Sequence, residues 1–286
     1  MPGLRLGEAA VDTSWTFAPG PILIALILGG LYVPRWLRVR RDDGAAAAPI
    51  WRLIVFLLGI VLLLVALVSP IDALAEQAFA MHMTQHVLLL DLVPICLMLG
   101  LTKVLLRPAT RRLMALERAA GPLAHPVFAV CLYVGVMWFW HIPRFYDSAL
   151  EHDSVHVLEH VMFLSAGLLY WWHLLSPIRS RMLKGIMGPV VYMLSTKFAV
   201  GLLGIGLTFT PDPLYDYYEQ RPPIWGLTAG SDQELAGAIM ALEQSIVMGI
   251  ALAYLFIRAL EQSEREQRRR ERLEDLREAE AERTGV

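Results

Sequence analysis

The chain has 286 residues, of which 56% are hydrophobic and 18% are charged, and its mean hydropathy is +0.49. Soluble domains rarely reach such a composition, so it excludes an ordinary soluble enzyme and indicates a membrane protein. The formal net charge of -2 carries little information by itself, and we expect no nucleic-acid partner.

Apolar stretches recur along the whole chain. About 20 apolar residues are needed to cross a bilayer core of about 30 Å, and seven stretches come close to that length. They cover residues 18–32, 50–68, 83–105, 127–140, 155–175, 186–209 and 235–257. We therefore predict an all-α integral membrane protein built as a bundle of seven transmembrane helices, embedded in a lipid bilayer.

Three regions are predicted within this plan. Residues 1–17 form an N-terminal segment, residues 18–258 form the membrane domain, and residues 259–286 form a charged tail. The tail alternates glutamate and arginine at spacings of three and four residues, which is typical of a solvated helix that extends the last span.

Basic residues cluster in the connections after the first, third and fifth stretches. By the positive-inside rule these connections are cytoplasmic, which places the N-terminus outside and the C-terminus inside. The segment ahead of the first stretch lacks the basic region of a cleaved signal peptide, so we keep that stretch as a true span. The basic residues are Arg35, Arg38, Arg40, Arg41, Lys103, Arg107, Arg111, Arg112, Arg118, Arg179, Arg181 and Lys184.

Five of the eight histidines fall at the predicted outer ends of three spans. Residues four apart share one face of a helix, so two polar stripes are formed, one on the third span and one on the fifth. Polar stripes in a membrane helix should face the bundle interior, where they meet if the two spans are neighbours. The histidines are His82, His86, His141, His156 and His160, and Glu159 lies on the second stripe.

Imidazole suits copper and zinc, and a thioether favours monovalent copper over harder ions. A single histidine at a helix end is more often a hydrogen-bonding group, but two stripes at one depth favour a metal site. We predict an outer-facing copper site whose ligands come from His82, His86, His156, His160, His141, Met81 and Met83.

Two alternatives stay open. The sequence "HVLEH" matches the His-x-x-Glu-His spacing of one group of zinc proteases, in which the glutamate is the general base. Histidines from two helices could instead be the axial ligands of a haem. Because the protease match is only five residues long, we expect no enzymatic activity.

Three ionisable residues fall deep within the spans, namely Asp91, Lys197 and Glu243. Since an isolated charge in a bilayer is expensive, we predict that Lys197 pairs with Asp91 or Glu243 inside the bundle. A long connection rich in proline, tyrosine and acids, residues 210–234, is a candidate cap over the outer mouth of the bundle.

The chain resembles the CtaG family, bacterial membrane proteins that assist assembly of caa(3)-type cytochrome c oxidase. The resemblance rests on "MHMTQHVLLLDLVPICLMLG", on "WFWHIPRFYDSALEHDSVHVLEH" and on "SDQELAGAIM". It implies a seven-helix protein of the bacterial inner membrane, linked to copper centres, with oxidase subunits as partners. Whether the protein also forms a homo-oligomer stays open. After "AGAIM" the chain departs from the family pattern with "ALEQSIVMG", which places Glu243 in the span. The positions matching the family motifs are His82, Gln85, His86, His141, His156, Glu159, His160, Asp232 and Gln233.

Overall fold

The computed structural model describes residues 10–178 and 188–284, and it describes side chains at these positions except 248 and 277–284. Every regular element in this part of the chain is a helix, so the predicted all-α class is confirmed there. The α-helices are α1 (Pro19–Asp42), α2 (Ile50–Leu67), α3 (Pro70–Ala75), α4 (Phe79–Val87), α5 (Val93–Gly100), α6 (Lys103–Ala120), α7 (Pro126–Trp140), α8 (Pro143–Glu151), α9 (Asp153–Leu175), α10 (Gly188–Phe209), α11 (Asp216–Glu219) and α12 (Ala229–Thr284).

Five of the described helices are long and apolar enough to cross a membrane, which makes this a multi-pass membrane protein. They are α1, α2, the continuous unit from α4 to α5, α10 and the first part of α12. A sixth crossing is counted if α6 and α7, which are bent by 63° relative to each other, are taken as one span. The predicted count of seven requires α7 and α9 as separate spans. The 23-residue α9, which carries the polar stripe, is not among these candidates.

The helix that carries the first histidine stripe lies at the centre of the bundle. Within an apolar stretch of 18 residues in Phe79–Gly100, 67% is buried, whereas the share is 22% for a stretch of the same length in α1 and 28% for one in α2. A turn of π-helix, Leu88–Leu92, separates α4 from α5. Gly167 of α9 packs here, and a Cβ atom at that position would collide with the Leu90 carbonyl group. The absence of a side chain at Gly167 therefore allows α9 to lie directly against the central helix.

The charged tail continues α12 without a break, since this helix runs from Ala229 to Thr284. The basic residues predicted after the fifth span, Arg179, Arg181 and Lys184, lie outside the described residues, as does the beginning of the sixth predicted stretch.

Candidate metal centre

The beginning of α4 is fixed by a carboxylate from the last helix. The backbone N–H groups of Phe79 and Ala80 donate to Asp232 Oδ2 and Oδ1 at 2.6 and 3.0 Å. The first N–H groups of a helix have no partner within the helix, so the Asp232 side chain caps α4 in place of a neighbouring residue. This contact fixes where the histidine stripe of α4 begins.

Four side chains from α4 and α9 converge one turn beyond that cap. His82, His86, Glu159 and His160 are all buried, and one ligand atom from each lies within 4.8 Å of every other. His82 Nε2 and His86 Nε2 are 2.8 Å apart. The two oxygens of Glu159 lie 3.5 Å from His82 Nε2 and 3.4 Å from His86 Nε2. We call these four residues the histidine centre.

The donor atoms of the histidine centre fit a small metal ion. Tetrahedral ligands at bond lengths of about 2.0–2.1 Å are separated from one another by about 3.4 Å, close to the distances between Glu159 and the two histidines of α4. Both Glu159 oxygens and His160 Nε2 are buried without a hydrogen-bond partner among the described residues. Burying such groups unpaired is costly, and a bound cation would satisfy them all.

A tyrosine from the long connection orients one of the ligands. The Tyr218 hydroxyl donates to the Ala75 carbonyl oxygen at 2.6 Å and lies 3.3 Å from His82 Nδ1. Burial raises the pKa of Tyr218 well above its ordinary value, so the hydroxyl keeps its proton. Its oxygen is then the acceptor for Nδ1–H of His82, which leaves the lone pair of His82 Nε2 facing the histidine centre.

Two further predicted ligands form a separate pair beside the centre. His141 Nε2 lies 3.2 Å from Met83 Sδ, while His141 Nδ1 lies 2.6 Å from the Met137 carbonyl oxygen. The His141 ring is 6.2 Å from the His86 ring, centroid to centroid. Met83 Sδ is therefore in contact with His141.

The remaining predicted ligands are not members of this group of four. His156 is half-buried, with its ring centroid 5.2 Å from that of His82, and its Nε2 atom has no hydrogen-bond partner among the described residues. Met81 is half-buried and packs against a small apolar cluster that includes Leu74 and Ile224. The helix stripe on α9 thus presents Glu159 and His160 to the histidines of α4, and His156 lies beside His82.

The two glutamines predicted at the site make structural contacts. Gln85 Nε2 donates to the Ala66 carbonyl oxygen and to Asp72 Oδ1, both at 2.7 Å. Gln233 Oε1 accepts from the Leu214 backbone N–H at 2.8 Å. Gln85 therefore joins α4 to the end of α2 and to α3, and Gln233 joins α12 to the preceding connection.

The structure does not form the ion pair that was predicted between Lys197 and either Asp91 or Glu243. Asp91 accepts hydrogen bonds from the Tyr133 hydroxyl at 2.7 and 2.8 Å and from Trp171 Nε1 at 2.7 Å. Glu243 accepts from Gln244 Nε2 at 2.8 Å. Among the described residues no ion pair includes Lys197, which is half-buried on α10. Asp91 lies in the π-helical turn, which faces α7 and α9, so its partners are neutral donors.

Sequence reasoning missed the aromatic residues around the centre. Phe163 stacks on His86 with ring centroids 4.0 Å apart, and Tyr146 lies 5.1 Å from His82. Tyr215 and Tyr218 of the long connection pack on Phe79 at 4.7 and 5.7 Å. The tyrosine-rich composition of that connection was the one available signal. It predicted a cap, and these tyrosines do cover the start of α4.

Comparison with known proteins places the chain in a family. An uncharacterized protein of Mycobacterium leprae is 27% identical over 254 residues, which cover 79% of this chain and 36% of that protein. Uncharacterized proteins of Mycobacterium bovis and Mycobacterium tuberculosis are each 27% identical over 180 residues, covering 57% of this chain and 27% of each relative. The chain thus spans about a third of the length of these curated relatives, or less.

No solved structure matches the chain significantly. The model of one protein family, described as cytochrome c oxidase caa3 assembly factor, matches residues 30–262. This match covers most of the chain, including every residue of the histidine centre, and the chain therefore belongs to the family of cytochrome c oxidase caa3 assembly factors.

Proposed function

We propose that this assembly factor binds a copper ion at the histidine centre and delivers it to a cytochrome c oxidase subunit. The observation that carries the proposal is the convergence of three imidazoles and one carboxylate, all buried and within 4.8 Å of one another. Buried groups of this kind are otherwise paired, and here the Glu159 carboxylate has no hydrogen-bonding partner among the described residues.

The donor set favours a borderline divalent ion. Imidazole nitrogens suit copper and zinc, and divalent copper binds a given nitrogen and oxygen site more tightly than zinc does. A carboxylate adds one negative charge, which partly neutralises the ion in an apolar surrounding. Copper(II) is thus the ion that the histidine centre would hold best, with zinc as the competitor.

Uptake of the ion would rearrange the protons of the two rings. The 2.8 Å distance between His82 Nε2 and His86 Nε2 is that of a hydrogen bond, so one of the two nitrogens carries a proton. A metal ligand must have its lone pair free, so this proton would move to Nδ1 of the same ring, and further protonation of either ring would compete with the ion. Binding should therefore weaken as the pH falls.

The position of the pair formed by His141 and Met83 suits release by ligand exchange. The His141 ring lies 6.2 Å from the His86 ring, and Met83 is one residue beyond His82 on the same helix. An ion that leaves the four ligands could bind the imidazole of His141 or the thioether of Met83. Each ligand that it loses could therefore be replaced, which would keep its coordination number constant during release.

We also propose that the chain crosses the bacterial inner membrane seven times, with its N-terminus outside and the histidine centre toward the outer face. The clusters of basic residues after the first and third spans support this orientation. Single cysteines at Gln77 and Arg111, in a chain with Cys96 and Cys131 replaced by alanine, would test it. An impermeant maleimide should label Gln77→Cys in intact cells and Arg111→Cys only after permeabilisation. The reverse pattern would reverse the orientation.

The metal content of the purified protein tests the central proposal. Wild-type protein loaded with copper(II) should retain about one equivalent at the histidine centre, and His160→Ala should lose it. His152→Ala is the matched control, because His152 is exposed and contacts only the Ser148 carbonyl oxygen among the contacts described. In cells, His160→Ala should lower the amount of active oxidase while His152→Ala leaves it unchanged.

Two results would contradict copper delivery. Equal copper retention by wild type and His160→Ala would remove the histidine centre as the binding site. Purification of the protein with iron and a strong Soret absorption band would instead support the haem alternative.

A further inference from the structure

A cavity lined by a different set of side chains lies directly beside the histidine centre. It is a small internal cavity of about 10 Å³, enough for about one water molecule or one small ion. Three methionines from three helices line it, Met83 from α4, Met137 from α7 and Met240 from α12. All three side chains are buried, with exposed fractions of 0, 4 and 3%.

The same cavity is lined by acidic and amide side chains that lack partners. Glu243 and Gln244 line it and are 9% and 3% exposed, and one oxygen of each, Oε1, is buried without a hydrogen-bond partner among the described residues. Two unpaired acceptors beside an enclosed cavity indicate a missing cationic or proton-donating occupant, because buried acceptors are nearly always satisfied.

The local charge is also uncompensated. Asp91 lines the cavity, and its hydrogen-bond donors are the neutral Tyr133 and Trp171. Glu243 also lines the cavity, and its hydrogen-bond donor is the neutral amide of Gln244, so among the described residues no cationic group compensates a negative charge on this pair of acids. In the described part of the chain, neither acid forms an ion pair with a lysine or an arginine. A monovalent cation in the cavity would neutralise this charge.

We propose that this cavity is a binding site for one soft monovalent cation, with copper(I) as the ion class, held by Met83, Met137 and Met240. Thioether sulfur is a soft, uncharged ligand that selects monovalent copper over harder ions of similar size. The inference rests on the proposed function, since it assigns a second copper site to a protein that handles copper. Its site is distinct from the histidine centre in ligand type and in the preferred oxidation state of the ion.

The histidine centre and the cavity have one residue in common. His86 is a member of the histidine centre and also lines the cavity, whereas His160 belongs to the centre alone and Met240 to the cavity alone. Substitutions at His160 and Met240 therefore separate the two sites, and His86 is unsuitable as a test position.

The test is copper(I) binding by the full-length protein in detergent, with Cys96 and Cys131 replaced by alanine in every variant so that thiols do not bind the ion. Copper(I) is titrated under anaerobic conditions against a chromogenic copper(I) chelator, and X-ray absorption at the copper edge reports sulfur neighbours. Met240→Leu, which keeps the side-chain volume, should lower copper(I) affinity by at least about tenfold and remove part of the sulfur signal. Met193→Leu is the matched control, since Met193 is 1% exposed on α10 and does not line the cavity.

The outcomes distinguish the two proposals. If His160→Ala loses copper(II) while copper(I) binding does not change in Met240→Leu or in a second variant, Met137→Leu, the cavity site is overturned and the histidine centre stands. If Met240→Leu loses copper(I) while His160→Ala keeps copper(II), the cavity site stands and the histidine centre falls. A single equivalent of copper lost by both variants would show one shared site and would overturn the separate cavity site.

Discussion

The most apolar span of the molecule and the span that carries the metal ligands occupy opposite positions in the bundle. The α2 helix has the highest hydropathy of the candidate spans, yet only 28% of its apolar 18-residue stretch is buried. The corresponding share is 67% for the unit from α4 to α5. In water the more apolar helix would be central. In a bilayer the surrounding lipid is itself apolar, so an apolar helix gains little from moving inward, and polar side chains gather at the centre where they find partners. Four substitutions test this contrast.

The largest effect is expected at the centre of the bundle. Asp91→Ala removes the acceptor of the Tyr133 and Trp171 donors, and each buried donor left unpaired costs about 1–3 kcal/mol. We expect a strong drop in thermal stability in detergent, with partial rescue by Asp91→Asn, which keeps an acceptor oxygen. Asp43→Ala, which removes only a surface ion pair with Arg107, is the control and should change stability little. Equal stability of the Asp91→Ala variant and wild type would contradict the central role of polar contacts.

The two faces of α2 should differ nearly as much as the two helices do. Leu63 is 1% exposed and packs into the core, whereas Val61 is 52% exposed. Leu63→Ala should therefore destabilise by about 2–5 kcal/mol because it opens a cavity, and Val61→Ala by less than about 0.5 kcal/mol. The unfolding temperature of each variant in detergent is the measurement. Similar losses for both variants would mean that α2 packs against a further surface through its outward face.

A smaller effect is expected where the long connection meets the histidine centre. Tyr218→Phe removes the acceptor for His82 Nδ1–H but keeps the aromatic packing on Phe79. Because groups that orient a ligand typically change metal affinity by about 10- to 100-fold when removed, we expect copper(II) affinity to fall by about tenfold with little loss of stability. Tyr217→Phe serves as the control, since the half-buried Tyr217 ring contacts Arg221 and Tyr218, and no hydrogen bond from its hydroxyl to a histidine is described. A copper affinity that does not change in Tyr218→Phe would separate the connection from metal binding.

The smallest effect concerns the cap of α4. Asp232→Ala leaves the N–H groups of Phe79 and Ala80 without their acceptor, and loss of a helix cap costs about 0.5–2 kcal/mol. Asp232→Asn should lose less, because one acceptor oxygen remains. Thermal stability measures the cap, and hydrogen exchange at Phe79 and Ala80 should quicken in Asp232→Ala. Protection of these amides that does not change would show that another group caps α4.

Helical periodicity was sufficient to find most of the histidine centre. The four-residue spacing of His82 and His86 and of His156 and His160 placed each pair on one helix face, and the polarity of both faces predicted that they point inward. Both inferences depend only on positions close together in sequence. They hold because α4 and α9 are regular helices over these residues.

The choice between His156 and Glu159 could not be made in the same way. Both lie on the inward half of α9, and which one faces α4 depends on the rotation of the helix about its own axis. That rotation is set by the close packing of Gly167 on the Leu90 carbonyl group, a contact between residues far apart in sequence. From the sequence, His156 is expected to be a ligand and Glu159 a neighbouring polar residue. The structure brings Glu159 into the centre instead.

The failed ion pair of Lys197 has a similar origin. Depth along a span is readable from sequence, and it showed that Asp91, Lys197 and Glu243 share the interior of the predicted spans. The direction in which a side chain points around the helix axis cannot be read from the sequence once the helix departs from 3.6 residues per turn. The π-helical turn at Leu88–Leu92 lies directly ahead of Pro94, and within it Asp91 faces Tyr133 and Trp171, a direction that a regular helical period does not give.

The cap on α4 sets an order of events during synthesis. Asp232 follows Phe79 by 153 residues, so at about 5–20 residues per second the ribosome adds it about 8–30 s after Phe79. Until then the entrance of the central helix lacks its acceptor, and the ligands of α4 and α9 are already in the nascent chain without the last helix beside them. We expect metal to be loaded only after Asp232 has been added and the last helix packs beside α4. Chains truncated ahead of Ala229 should insert into the membrane and bind copper poorly, which copper analysis of the purified fragment would measure.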